Sequence, residues 1–201
     1  MNRKAKIFTA IGLLLLAAAL CLGISNLLEA HNAAKSAENL ARSIEEQISG
    51  KASDKDGEIP DYMLNPEKDM PVLHIDGSDC IGVVEIPSLS LKLSVIDKWS
   101  YPKLKLSPCR FSGSAYLNNM IVIAHNYPKH FGNLKRLNKG DKVIFTDAEG
   151  NVFRYEVTEL LQLGPMDTEE LSSGKWDLTL LTCTVGGERR VTVRCERIDK
   201  N

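Results

Sequence analysis

The sequence predicts an all-β domain: a closed or nearly closed antiparallel β-barrel of about eight strands with one or two short helices, preceded by an N-terminal transmembrane helix and a stalk. Three observations predict it. Short runs rich in β-branched residues recur between residues 81 and 198. Turns rich in glycine and asparagine separate them at barrel-like spacing. Ahead of them lies one long uncharged apolar run, residues 7–28. The composition agrees. Of 201 residues, 43% are hydrophobic and 25% charged, the balance of a chain that folds. Lys and Arg number 25 against 26 Asp and Glu, so the overall charge gives no reason to expect nucleic acid as a partner. Five cysteines without a C-x-x-C pair are too few for a disulfide scaffold. Histidines at 31, 74, 125 and 130 are too scattered to predict a metal site.

Residues 1–6 carry Arg3, Lys4 and Lys6, and residues 7–28 follow without a charge. As a helix that run reaches about 33 Å, enough for a hydrocarbon core of ~30 Å. The flank before it is basic and the flank after it is mixed (Glu29, Lys35, Glu38, Arg42). The positive-inside rule therefore sets residues 1–6 in the cytoplasm and the chain after residue 28 outside, as a single-pass protein of the cell membrane. A cleaved signal peptide is the rival reading. Against it, the small residues Ala17–Ala19 lie inside the apolar run, and Cys21 follows Leu20 where a lipoprotein signal needs a small residue. Residues 29–70 read as an extracytoplasmic helical stalk and linker. Ala33, Ala37, Leu40, Ile44 and Ile48 give one narrow apolar helical stripe, with Gly50 as the stop. Residues 51–70 are polar, contain Pro60 and Pro66, and read as a linker, and residues 31–70 together, with nine acids and five bases, read as a solvated acidic tether.

Residues 71–201 are long enough for one core. Strands are expected at 81–86, 91–96, 120–124, 142–146, 152–160, 178–183 and 190–198. The turns between them include Asn138-Lys139-Gly140-Asp141, Ala148-Glu149-Gly150-Asn151 and Val185-Gly186-Gly187-Glu188. Helix is expected only at Phe131–Leu137 and at Thr168–Ser172, the latter with Asp167 as N-cap.

The residues able to do chemistry sit at strand ends. Cys183 closes the run LTLLTC before a Gly-Gly turn, His125 directly follows the strand MIVIA, and Arg190 opens the last strand after that turn. A thiol nucleophile needs a base or cation beside it, and acyl transfer needs a donor for the developing oxyanion. Cys, His and Arg at one barrel mouth would meet both needs. A strand cysteine is as readily a small core residue, so the pattern by itself leaves both readings open. His130, in a proline-containing loop, is expected to be an exposed histidine without a catalytic role.

The ordered motifs add a family resemblance. Thr179-Leu180-Leu181-Thr182-Cys183 resembles the T-L-x-T-C signature of the sortases, the transpeptidases of Gram-positive cell surfaces. IGVVEIPSLSLKLSVI resembles the family's opening strands. VIAHNYPKHFGNLKRLNKGDKVIF resembles its essential-histidine segment, although Ala124 stands where glycine is usual, and RVTVRCERI resembles its closing arginine strand. The short Cys183-to-Arg190 link and the TVGG turn look most like class D.

The resemblance implies a membrane-anchored cysteine transpeptidase of thiol-protease chemistry. It implies Cys183 as nucleophile, His125 as general acid/base and Arg190 as oxyanion and substrate clamp, with the Thr184 backbone N–H as a second oxyanion donor. Arg189 and Arg194 compete with Arg190. Strand alternation sets Arg190, Thr192 and Arg194 on the face opposite Val191, Val193 and Cys195, and Arg194 lies roughly 13 Å farther along. The segment from Leu161 to Trp176 would shape the pocket, with Thr182, Leu163, Pro165, Met166 and Leu171 as substrate-binding candidates. The implied partners are LPxTG-like sorting signals of secreted proteins, the amine of a lipid-linked peptidoglycan precursor, and the membrane; no metal or organic cofactor is implied. A cysteine peptidase that only hydrolyses, or a silent barrel that binds wall or peptide ligands, is the alternative. Cys80, Cys109 and Cys195 are expected to be free, mostly buried thiols.

Overall fold

The computed structural model describes residues 3–52, 59–164, 166–167, 170–171 and 176–200, with side chains of the first segment described through Ile48. Nine strands are present among them: β1 (Leu73–Ile75), β2 (Ser78–Ile86), β3 (Leu91–Ile96), β4 (Cys109–Ser112), β5 (Met120–Ile123), β6 (Lys142–Asp147), β7 (Val152–Leu163), β8 (Leu178–Cys183) and β9 (Arg190–Arg197). The helices are α1 (Arg3–Ala52), α2 (Asp61–Leu64) and α3 (Tyr101–Leu104), with short 3-10 turns at Pro87–Leu89 and Leu134–Arg136.

Eight strands close a barrel in the order β2-β3-β4-β5-β8-β9-β7-β6, because β6 returns to pair with β2; β1 extends the sheet from the start of β2. Alternation builds the interior: Val143 and Phe145 of β6 and Phe153, Tyr155 and Val157 of β7 point into one core with Ile81, Val84, Phe131, Leu180 and Val193. Closure depends on Gly82. Its φ is +153°, and a Cβ there would lie 2.1 Å from the Thr146 carbonyl oxygen.

The expectation of a purely antiparallel barrel is corrected. β3–β4 and β5–β8 pair in parallel. For β5 and β8 the reason is the long crossover between them, which carries the β6–β7 hairpin and returns the chain in its starting direction. β1 and β4, absent from the expectation, are three and four residues long and too short for a period-two signal. Of the helix expected at Phe131–Leu137, only the 3-10 turn Leu134–Arg136 forms. Of that expected at Thr168–Ser172, Glu170 and Leu171 alone are described, both helical.

The stalk expectation is also corrected. α1 runs unbroken through the apolar segment and then docks lengthwise on the barrel. The stripe Ala33, Ala37, Leu40, Ile44 and Ile48 is buried as its spacing predicts, together with Ala41. Leu40, Ala41, Ile44 and Ile48 form a second core with Ile75, Cys80, Val83, Ile96, Leu104 and Cys109. An apolar stripe of this size gains more by covering the outer face of β1–β3 than by facing water. The supposed linker contributes too, since Tyr62 of α2 stacks on Tyr116 at 4.8 Å and is buried. Among the described residues, α1 is the one helix long and apolar enough to cross a membrane, and its N-terminal half is exposed in this structure.

Candidate active site

Strand register assembles the site. β5 and β8 are parallel with Ile123 opposite Leu181. Two residues farther on, His125 and Cys183 leave the same end of the barrel side by side. β8 and β9 are antiparallel with Cys183 directly opposite Arg190, so these two side chains share one face. Thr182 ties the strand ends together, its hydroxyl donating to the Ala124 carbonyl at 2.8 Å. Cys183, His125 and Arg190 line one cleft of about 250 Å³. Ala124, Leu181 and Thr182 form its floor, Leu163 and Leu171 one wall, and Trp99, Tyr101 and Phe111 the other.

Burial pulls the His125 imidazole below its ordinary value; Glu29 of α1 opposes this and Lys105 adds to it. Its Nε2 is buried and meets no hydrogen-bond partner among the described residues. The Tyr127 ring packs on it at 5.0 Å. A neutral imidazole lining the cleft is suited to take a proton near neutral pH. Cys183 is partly exposed and its thiol is free. Cys80, Cys109 and Cys195 are free but buried, and burial pushes the first two thiols up to about 11 and about 12 and the third higher still. Cys183 is thus the cysteine with both access and neighbours for nucleophilic chemistry.

Arg190 is held at the rim by its own turn, with Nη1 donating to the Gly187 carbonyl at 3.0 Å. The turn needs its glycines, since Gly186 and Gly187 take φ of +89° and +76°. The same turn corrects the expectation for Thr184. Its backbone N–H donates to the Arg189 carbonyl at 2.9 Å and so is not offered to the cleft.

The pocket candidates divide. Leu163, Leu171 and Thr182 line the cleft. Met166 is 86% exposed and does not line it. Pro165 lies outside the described residues. Arg194 is buried four residues down β9 from Arg190. It donates through Nη1 to the Leu171 carbonyl at 3.0 Å and the Thr179 hydroxyl at 2.9 Å, and through Nη2 to the Glu170 carbonyl at 2.6 Å. It therefore holds the wall and does not reach the floor. His130 is corrected: it is fully buried, with Nε2 3.2 Å from the Ala33 carbonyl, because α1 covers the loop that its sequence context made to look exposed. The aromatic wall was missed. Its signal was a cluster of three aromatics within residues 99–111, in a chain that is only 6% aromatic.

A partly exposed cysteine beside a histidine and opposite an arginine, at the mouth of an eight-stranded barrel, is the arrangement that thiol-based acyl transfer requires. Residues 84–198, more than half of the chain, match the family model described as Sortase domain, and the chain belongs to the sortase family of cysteine transpeptidases. It is 30% identical to sortase A of Bacillus anthracis over 115 residues, 54% of this chain and 54% of that protein; it spans about half the length of the curated relative it matches. Among solved structures it is similar to sortase C1 of Streptococcus suis (28% identity, TM-score 0.53, covering 61% of this chain and 74% of that chain). It is similar as well to sortase C of Clostridium perfringens SM101 (25%, 0.53, 83% and 91%). The sortase D5 transpeptidase of Clostridium perfringens shares the fold (21%, 0.56, 78% and 99%).

Proposed function

We propose that the protein is a membrane-anchored transpeptidase, nearest to class D in its short β8–β9 link, that joins secreted proteins to a peptidoglycan precursor. The observation that carries this is the register pairing Cys183 with Arg190 beside His125 in one cleft. The substrate is an LPxTG-like sorting signal, cut between Thr and Gly. His125 takes the Cys183 proton as the sulfur attacks the Thr carbonyl, and the resulting imidazolium protonates the departing Gly amine. Arg190, released from its turn carbonyl, stabilises the tetrahedral oxyanion. A thioester remains on Cys183. The amine of a lipid-linked precursor then attacks it, His125 accepts the amine proton, and the amide product leaves as the thiol re-forms. Leu163, Leu171 and the aromatic wall supply apolar surface for the Leu-Pro part of the signal.

The test uses the full chain in lipid vesicles with an LPxTG-type peptide. Mass spectrometry is expected to find a thioester on Cys183 that converts to a ligated product when a glycine- or diaminopimelate-type amine is added. Release to water alone would favour a hydrolase. No adduct, with Cys183 alkylated no faster than Cys80, Cys109 or Cys195, would favour a silent binding barrel.

A further inference from the structure

We infer that the mouth of the catalytic cleft rests on the outer surface of the membrane, with Trp99, Tyr101, Leu106 and Phe111 seated in the headgroup layer. The inference rests on the reading of residues 7–28 as a membrane span. α1 is continuous from Arg3 to Ala52, so the helix that leaves the bilayer is the helix that docks on the barrel. Its direction along the barrel is fixed by contacts. Glu29 ion-pairs with Lys105 at 2.6 Å, and the Ala33 carbonyl meets His130 at 3.2 Å. Four turns later Glu45 reaches Lys92 at 2.6 Å, and Ile48 joins the core around Ile75 and Val83. The Tyr127 ring packs on His130 at 5.5 Å and on His125 at 5.0 Å, which joins this end of α1 to the site. The end of the barrel nearest the bilayer is therefore the end that carries the site.

Glu29 is also the first charged residue after the apolar run, which sets it at the bilayer surface. The headgroup layer is roughly 5–8 Å deep on each side of the hydrocarbon core. The rise from Glu29 to Ala33 is about 6 Å. Lys105 and its neighbours thus fall at headgroup depth. Those neighbours are apolar and exposed: Trp99 by 40%, Tyr101 by 73%, Leu106 by 40% and Phe111 by 41%. Trp99 packs on Tyr101 at 5.8 Å and on Phe111 at 5.9 Å, so three of the four form one patch. Rings with a polar edge are the side chains that favour a membrane interface, and the exposed Lys98 beside them suits anionic headgroups. A lipid-linked acceptor would then enter the cleft from the plane of the membrane without leaving it.

The chain has two tryptophans, which makes the placement measurable. Trp176 precedes β8, at the opposite end of that strand from Cys183, and its ring lies over the guanidinium of buried Arg194, 6.0 Å away. The full chain is reconstituted in phosphatidylglycerol-containing vesicles whose acyl chains are brominated close to the headgroup. W176F, which keeps Trp99, is expected to lose at least about half its fluorescence relative to unbrominated vesicles. W99F, which keeps Trp176, is expected to change little. Y101W in a W99F/W176F background is a second reporter at an exposed site and is expected to follow Trp99. Alkaline extraction separates the two readings. A chain that stays in the vesicles with Trp99 and the Tyr101 reporter unquenched overturns the placement and leaves the anchor standing. A chain that is released overturns both.

Discussion

The floor and the wall of the cleft are held by different means. On the floor, backbone register between three adjacent strands brings Cys183, His125 and Arg190 together, with the Thr182 hydroxyl bonded to the Ala124 carbonyl as a tie between strand ends. On the wall, among the described residues the Glu170 and Leu171 carbonyls are held by the guanidinium of buried Arg194. Two arginines of one strand, four residues apart, thus do different work. Arg190 lines the cleft opposite Cys183, and Arg194 holds the backbone of the loop that forms one wall. The floor follows from the backbone pairing of the barrel, whereas the wall leans on a side chain of β9.

Breaking the floor has the largest expected effect. Cys183→Ala removes the nucleophile and is expected to lower thioester formation by about 10⁴-fold or more; detectable ligation by this variant would refute the assignment. Arg190→Ala removes the oxyanion donor and is expected to cost about 10²–10³-fold in kcat/KM, mostly in kcat. Arg189→Ala, whose side chain is exposed on the turn, should stay near wild type. The reverse order would move the role to Arg189.

Breaking the wall is expected to act differently. Arg194→Met leaves the Leu171 and Glu170 carbonyls and the Thr179 hydroxyl without their charged donor. Loss of charge-assisted hydrogen bonds of this kind costs about 1.5–3 kcal/mol, a fall in Tm of roughly 3–12 °C at this chain length. For the peptide, KM should rise about tenfold with kcat within about threefold, and the preference at the Leu-Pro positions should relax. An equal fall in kcat with KM unchanged would mean that Arg194 acts on the floor.

The smallest effect concerns the covered side of the barrel. Burial holds His130 below its ordinary value of about 6.5. Above that pH the residue is neutral in both folded and unfolded chains and adds no pH dependence. As pH falls through about 6.5 toward the folded value, the unfolded chain binds the proton first, so stability declines. His125 acts in the same direction. Between pH 7 and 5 the fall in Tm should be shallower for His130→Gln than for wild type, measured by differential scanning calorimetry. An unchanged slope would show that His130 contributes nothing to the acid loss.

The sequence disclosed the floor far better than the wall. β3 and β8 begin and end where their β-branched runs do, and Cys183, His125 and Arg190 could be placed because each adjoins a strand with a strong local pattern. The stripe from Ala33 to Ile48 was equally legible as a helix face. What it would cover was not, since an apolar stripe does not state its partner, and the same contact hid the burial of His130. Parallel pairing of β5 with β8 was invisible for a related reason: alternation fixes which face is apolar and says nothing of strand direction. The hydrogen bond that occupies the Thr184 N–H depends on the left-handed geometry of Gly186 and Gly187, a feature of the folded turn. Arg194 lacked a signal of its own, because a buried arginine and an exposed one look alike until the loop above is in place.

The parallel pairing of β5 with β8 also governs when the protein becomes chemically competent. The residues it unites are 58 positions apart in the chain, and the crossover between them must fold before they meet. Arg190 comes later still, on β9, which lies between β8 and β7. A chain synthesised from its N-terminus therefore carries its histidine, and later its thiol, before Arg190 has emerged. Topology here sets an order of assembly, in which cysteine, histidine and arginine share one cleft only once the barrel has closed.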